Sequence, residues 1–165
     1  LKGIAKTSPP LRTRRDRDAL WRAIKSGRVN VISSDHAPHR LSEKMCDDAP
    51  PGVPGIEIML RLLLTQVDRG ILTMHTLVRL LCEAPSDILG IEKGYIQPGR
   101  DADILLVDLA KERKVKPDEF YSKAKYSPFE GTKTTGDVDK VILRGEITFE
   151  NGEVTVKRGY GRRVR

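Results

Sequence analysis

An α/β fold in two successive styles is expected of this chain: a helix-rich half over about residues 1–92, then a small β half over about residues 93–165. Three features carry that expectation. Apolar residues recur at helical spacing as far as about residue 89, interrupted by one short β-branched run, VNVISS. After Lys93 the period drops to two in ADILLVDL, VDKVILRG, EITFE and EVTVK. The length of 165 residues allows burial of roughly 68–70% of the unfolded surface, yet falls short of the ~250 residues of a whole eight-stranded α/β barrel.

The first helix is expected from TRRDRDALWRAIKSG, where Thr13 and Asp16 have capping-box spacing. Leu20, Ala23 and Ile24 form its apolar stripe, and Gly27 stops it. VNVISS follows as a strand ending in polar residues and Asp35. Beyond a Pro/Gly-rich loop, a second helix runs from Gly55 to about Arg69, with Ile56, Met59, Leu60, Leu63 and Val67 on its buried side. A third starts near Thr73, buries Leu77, Leu80 and Leu81, and is expected to break at Pro85, with a last turn over 86–89. In the β half, ADILLVDL reads as a buried strand and KERKVKPDEFYSKAKYSPFEG as polar and irregular. Asn151-Gly152 marks a hairpin, with Ile147/Phe149 and Val154/Val156 alternating against polar neighbours.

The net charge is +7, and its distribution is uneven. Residues 1–40 hold ten Lys/Arg against three Asp, and the last nine residues add Lys157, Arg158, Arg162, Arg163 and Arg165. These stretches lack aromatic interleaving and any nucleic-acid module, so they read as solvated faces or a docking surface, with no nucleic-acid partner. No apolar run nears the ~20 residues of a bilayer span, and the opening residues lack signal-peptide form, so a membrane partner is excluded and a cytoplasmic location is expected. Cys46 and Cys82 stand far apart, outside any CxxC pair or Cys/His cluster, and read as reduced thiols.

Chemistry concentrates in Ser34-Asp35-His36-Ala37-Pro38-His39, directly after VNVIS. A carboxylate and two imidazoles at the C-terminal end of a strand stand where barrel enzymes keep their catalytic groups. Asp35 is suited to ligate a divalent metal and to accept a proton from attacking water, and His39 to hold an anionic group. On spacing alone an equal reading remains, in which Asp35 caps the next turn and the histidines make ordinary hydrogen bonds. The only other histidine, His75, falls in the first turn of a helix and reads as exposed, so the histidines present do not complete a metal site.

SSDHAPH resembles the aspartate motif of the amidohydrolase superfamily, in the form seen in dihydroorotases. SPPLRTRRDRDALWRAIKSG before it is similar to their N-P-P-L-R loop and helix, and DDAPPGVPGIEIMLRLLL after it to their substrate loop and the helix that follows. GYIQPGRDADILLVD resembles the segment that opens their C-terminal β-sandwich, and SPFEG…VILRGEITFENGE…GYGR fits the remainder.

The resemblance implies the C-terminal part of a metal-dependent (β/α)8 TIM barrel over 1–92, starting near the seventh strand and holding the eighth, followed by a small β-sandwich over 93–165. It also implies zinc-dependent, reversible hydrolysis of the cyclic amide of dihydroorotate to N-carbamoyl-aspartate, in pyrimidine biosynthesis. Asp35 would be metal ligand and general base, His39 and Ser8 would bind substrate, and backbone groups of Pro54 and Gly55 would line the pocket. Zinc is the implied cofactor, two ions in the full-length enzyme, with the other ligands absent from this chain. The chain alone is therefore expected to be inactive.

Ser8 departs from the family's Asn, which weakens the substrate assignment there. Implied partners are a small-molecule substrate, the missing N-terminal barrel segment, and either a second copy or a transcarbamoylase. The alternatives are another cyclic amidohydrolase, allantoinase or hydantoinase-like, or a non-catalytic scaffold. No role is assigned to His36 beyond support of its loop.

Overall fold

The computed structural model describes residues 3–164, so Lys2 and Arg165 of the basic stretches lie outside the described residues. Helix α1, Arg14–Lys25, begins with the expected capping box: the Thr13 hydroxyl accepts the Asp16 amide at 3.4 Å, and the Asp16 carboxylate accepts the Thr13 amide at 3.0 Å. Trp21 and Ile24 pack on the core, whereas Leu20 is 63% exposed. The stripe therefore faces inward through Trp21 and Ile24, and Leu20, about 100° around the helix from Trp21, lies off it.

VNVISS is not a paired strand, contrary to expectation. Its backbone groups bond to a helix instead: the Ile32 amide donates to the Leu80 carbonyl at 3.3 Å, and Arg79 Nη2 donates to the Val29 carbonyl at 3.1 Å. A strand needs a neighbouring strand to complete its ladder. Here, among the described residues, the strand-like pairing is a single parallel bridge between His36 and Val53.

Helix α2 is the short turn Leu41–Lys44. Helix α3, Met59–Asp68, is launched by the Gly55 carbonyl, which accepts the amides of Ile58 and Met59. Ile56 precedes the helix and is 60% exposed, so it does not belong to the buried side expected of it. Helix α4, Met74–Val78, has Thr73 as N-cap and passes through a π-helical turn, Arg79–Glu83, into α5, Ala84–Leu89. The run does not break at Pro85. The wider turn just before it loosens the spiral where proline removes an amide and crowds the preceding turn.

The β half is one antiparallel sheet in the order β1-β2-β3-β4: β1 Ile104–Lys114, β2 Lys133–Leu143, β3 Glu146–Glu150 and β4 Glu153–Val154. Among the described residues there is no second layer of a sandwich. The Asn151-Gly152 hairpin forms as expected, with φ of 54° and 85°, and an unexpected twin, Arg144-Gly145, with φ of 52° and 82°, joins β2 to β3. β1 is not the buried strand anticipated. It is an edge strand, and only Val107 reaches the helical core while Leu105, Leu106 and Leu109 are exposed.

The core joins α3 and α4 through Leu63, Leu64, Leu72 and Leu77 and continues to Val107 in the sheet. Contact between α3 and β2 is close because Gly136, at φ +91°, has no side chain: a Cβ there would sit 2.7 Å from Leu64 Cβ. The Thr65 hydroxyl pins the same contact, donating to the Arg61 carbonyl at 2.7 Å and accepting the Thr135 amide at 3.0 Å. The segment between β1 and β2 is irregular, yet Val115, Phe120, Ala124 and Tyr126 are buried. Val115 and Phe120 form a second small core with Ile58 and Leu62. Among the described residues no helix is long and apolar enough to cross a membrane.

Candidate functional site

Two loops lie side by side. One is Ser34–His39 and the other is Pro51–Ile56, in front of α3. The Ala37 amide donates to the Val53 carbonyl at 3.1 Å, and the Ile56 amide donates to His36 Nδ1 at 3.2 Å. His39 Nε2 stands 3.1 Å from the Pro51 carbonyl, an acceptor only, so that nitrogen carries the hydrogen. Two glycines let the backbones meet. A Cβ on Gly52 would fall 2.6 Å from the Ala37 carbonyl oxygen, and one on Gly55 would fall 2.8 Å from that of Ser34.

At the head of this pair Asp35 has φ +43°, the left-handed region that residues with a side chain rarely adopt. Its side chain is exposed. Backbone strain of this kind persists only where surrounding structure imposes it, and it gathers at functional sites. Here the imposing structure is the loop pairing on both sides of the aspartate.

A third segment joins from the N-terminal side. The Gly52 amide donates to the Lys6 carbonyl at 2.8 Å, and Lys44 Nζ donates to the carbonyls of Lys6, Pro50 and Gly52 at 3.3, 2.8 and 2.8 Å. Lys44 is wholly buried, and burial followed by the charge of Lys6 pushes its pKa below 10.5. From the irregular segment of the β half, the buried Tyr126 presents its hydroxyl oxygen to the His39 amide at 3.3 Å.

Of the residues singled out from sequence, Asp35, His39, Pro54 and Gly55 come together in the paired loops, with Pro54 and Gly55 buried. Ser8 does not join them directly. It is exposed, and the N-terminal segment reaches the loops through Lys6. Sequence reasoning missed Lys44 and Tyr126 and left His36 without a role. The one available signal was a lysine set between Pro/Gly-rich stretches, which is too common to single out.

Zinc does not fit these residues alone: no group of three His, Cys, Asp or Glu side chains able to hold a metal exists among the described residues. One nitrogen of each loop histidine is engaged with the backbone.

The chain matches the model of the amidohydrolase family over residues 6–148. It belongs to the amidohydrolase family. It is 43% identical over 159 residues to the dihydroorotase of Methanothermobacter thermautotrophicus, a match covering 94% of this chain and 36% of that protein. It is 40% identical over 163 residues to the multifunctional protein CAD of Squalus acanthias, covering 99% of this chain and 7% of that protein. Among solved structures it is similar to the L-hydantoinase (dihydropyrimidinase) of Arthrobacter aurescens, with a TM-score of 0.95 and 36% identity over 98% of this chain and 38% of that one. The family member described here thus spans little more than a third of the dihydroorotase and hydantoinase relatives it matches.

Proposed function

We propose that this chain is the C-terminal part of a dihydroorotase, the closing units of a (β/α)8 barrel with the sheet that follows. The reaction is reversible hydrolysis of the ring amide of dihydroorotate to N-carbamoyl-aspartate. The observation that carries the reading is Asp35, strained and exposed at the head of the two paired loops. Water adds its oxygen to the ring carbonyl carbon while Asp35 takes its proton. The ring C–N bond then breaks and Asp35 returns the proton to the departing nitrogen. His39 faces the substrate's carboxylate, and Pro54 and Gly55 shape the floor. Asp35 is the one zinc ligand this chain would add to those carried elsewhere in the whole protein.

The likeness to part of a multifunctional protein supports work alongside other catalytic domains, with a transcarbamoylase or a second copy as partner. A second reading, a hydantoinase-like cyclic amidohydrolase, draws on the likeness to the L-hydantoinase. His39 separates the two, because dihydroorotate carries a carboxylate that dihydrouracil lacks.

The test is steady-state kinetics of the full-length protein on both compounds. Preference for dihydroorotate, with His39→Ala raising KM for that substrate by about tenfold, supports the first reading. Preference for dihydrouracil with no effect of His39→Ala supports the second. No turnover of either compound rejects both.

A further inference from the structure

A lysine seldom lies wholly inside a protein, because its ammonium loses hydration and needs full compensation. Lys44 is 0% exposed, and among the described residues it forms no ion pair with a carboxylate. Compensation comes from three carbonyl oxygens, one for each of its N–H bonds. A hydrocarbon side chain would fill the same space without the desolvation cost, so mere filling does not account for a lysine there. What a tripod of donors does, and a hydrocarbon does not, is aim three peptide groups.

Those peptides belong to two separate segments that converge on the site. Lys6 lies two residues before Ser8, and its carbonyl also accepts the Gly52 amide. Pro50 and Gly52 flank Pro51, whose carbonyl faces His39 Nε2 at 3.1 Å. The carbonyls of residues 50 and 52 turn to Lys44, while the one between them turns to His39. Gly3 packs against the lysine's own backbone, since a Cβ there would sit 2.0 Å from the Lys44 carbonyl oxygen.

We propose that Lys44 is a positioning residue: by holding the carbonyls of Lys6, Pro50 and Gly52 it presents the Pro51 carbonyl to His39 and keeps Lys6 of the N-terminal segment against the Pro51–Ile56 loop. The kinetic consequence rests on the dihydroorotase reading; the structural consequence does not.

The test compares full-length wild type with Lys44→Met and Lys44→Ala. Amide hydrogen exchange should quicken by about tenfold or more in residues 34–39 and 50–56 and stay at the wild-type rate in α3 and β2. KM for dihydroorotate should rise by about tenfold with kcat changed far less. Methylammonium, which fits the socket left by Lys44→Ala, should restore both protection and KM, and tetramethylammonium should restore neither.

Wild-type exchange in the two loops, or quickening spread evenly over α3 and β2, overturns the proposal. If wild type does not hydrolyse dihydroorotate, the substrate reading fails while the exchange result still decides the role of Lys44. If neither variant folds, Gly3→Ala displaces the N-terminal segment from an intact Lys44, and the same exchange pattern or its absence decides.

Discussion

His36 Nδ1 accepts the Ile56 amide at 3.2 Å, which ties the residue after the candidate catalytic carboxylate to the loop in front of α3. Accepting a hydrogen bond requires the lone pair, so Nδ1 bears no hydrogen in this contact. This histidine is therefore a brace between the two loops. His36→Ala is expected to raise KM of the full-length enzyme by about fivefold, and His36→Asn, whose side-chain oxygen accepts in nearly the same place, to recover most of that loss. Equal KM values for wild type and His36→Ala would remove the brace from the account.

Asp35 should be dispensable for folding and indispensable for turnover. Its left-handed backbone suits glycine, and the side chain is exposed. Relief of strain and the added freedom of the unfolded chain oppose each other, so Asp35→Gly should melt within about 1 kcal/mol of wild type. Activity should fall below detection. A thermal melt alongside an activity assay checks both, and retained turnover would sink the assignment.

Gly136 is where the sheet meets α3. A methyl group there collides with Leu64 and also has to adopt φ +91°. Gly136→Ala is expected to cost roughly 2–4 kcal/mol through combined strain and overpacking. Chemical denaturation gives the value, and a loss under 0.5 kcal/mol would contradict the close contact, given that compatible substitutions shift stability by about that much.

Asp103 clips the entry of the β half to the first hairpin. Its carboxylate accepts Lys93 Nζ at 2.6 Å and the Arg144 amide at 2.7 Å. Burial raises its pKa, but the hydrogen bonds from Lys93 and Arg144 and their charges outweigh that and hold it below 3.8. The stability it adds is therefore complete above 3.8 and is lost as pH falls through the depressed value. Hydrogen bonds to Asp101 and Asp103 hold Lys93 above 10.5, so its share is present below 10.5 and lost as pH rises past the raised value. Asp103→Asn should cost about 1–3 kcal/mol at neutral pH. Its melting temperature should also fall less than that of wild type between pH 5 and about pH 2, the window in which carboxylate linkage acts; parallel curves would show that the clip adds nothing.

Features closed within a few residues were legible from the chain itself. The Thr13–Asp16 cap and the Asn151-Gly152 hairpin each depend on groups within three positions of one another, and each forms as expected. The Asp35-to-His39 string was singled out by its residue types, and the structure shows where it lies, beside the Pro51–Ile56 loop. Pro85 and the leucines of β1 misled, because whether a helix widens to pass a proline, or a strand lies at an edge, depends on what packs beside it.

The brace, the tripod and the Tyr126 tether were invisible in sequence. His36 meets a residue 20 positions away, Lys44 one 38 away and Tyr126 one 87 away. The chemistry-bearing residues were set by local sequence. Which of them hold the loops together was decided by long-range contacts, because a buried polar group takes its role from the partner that satisfies it.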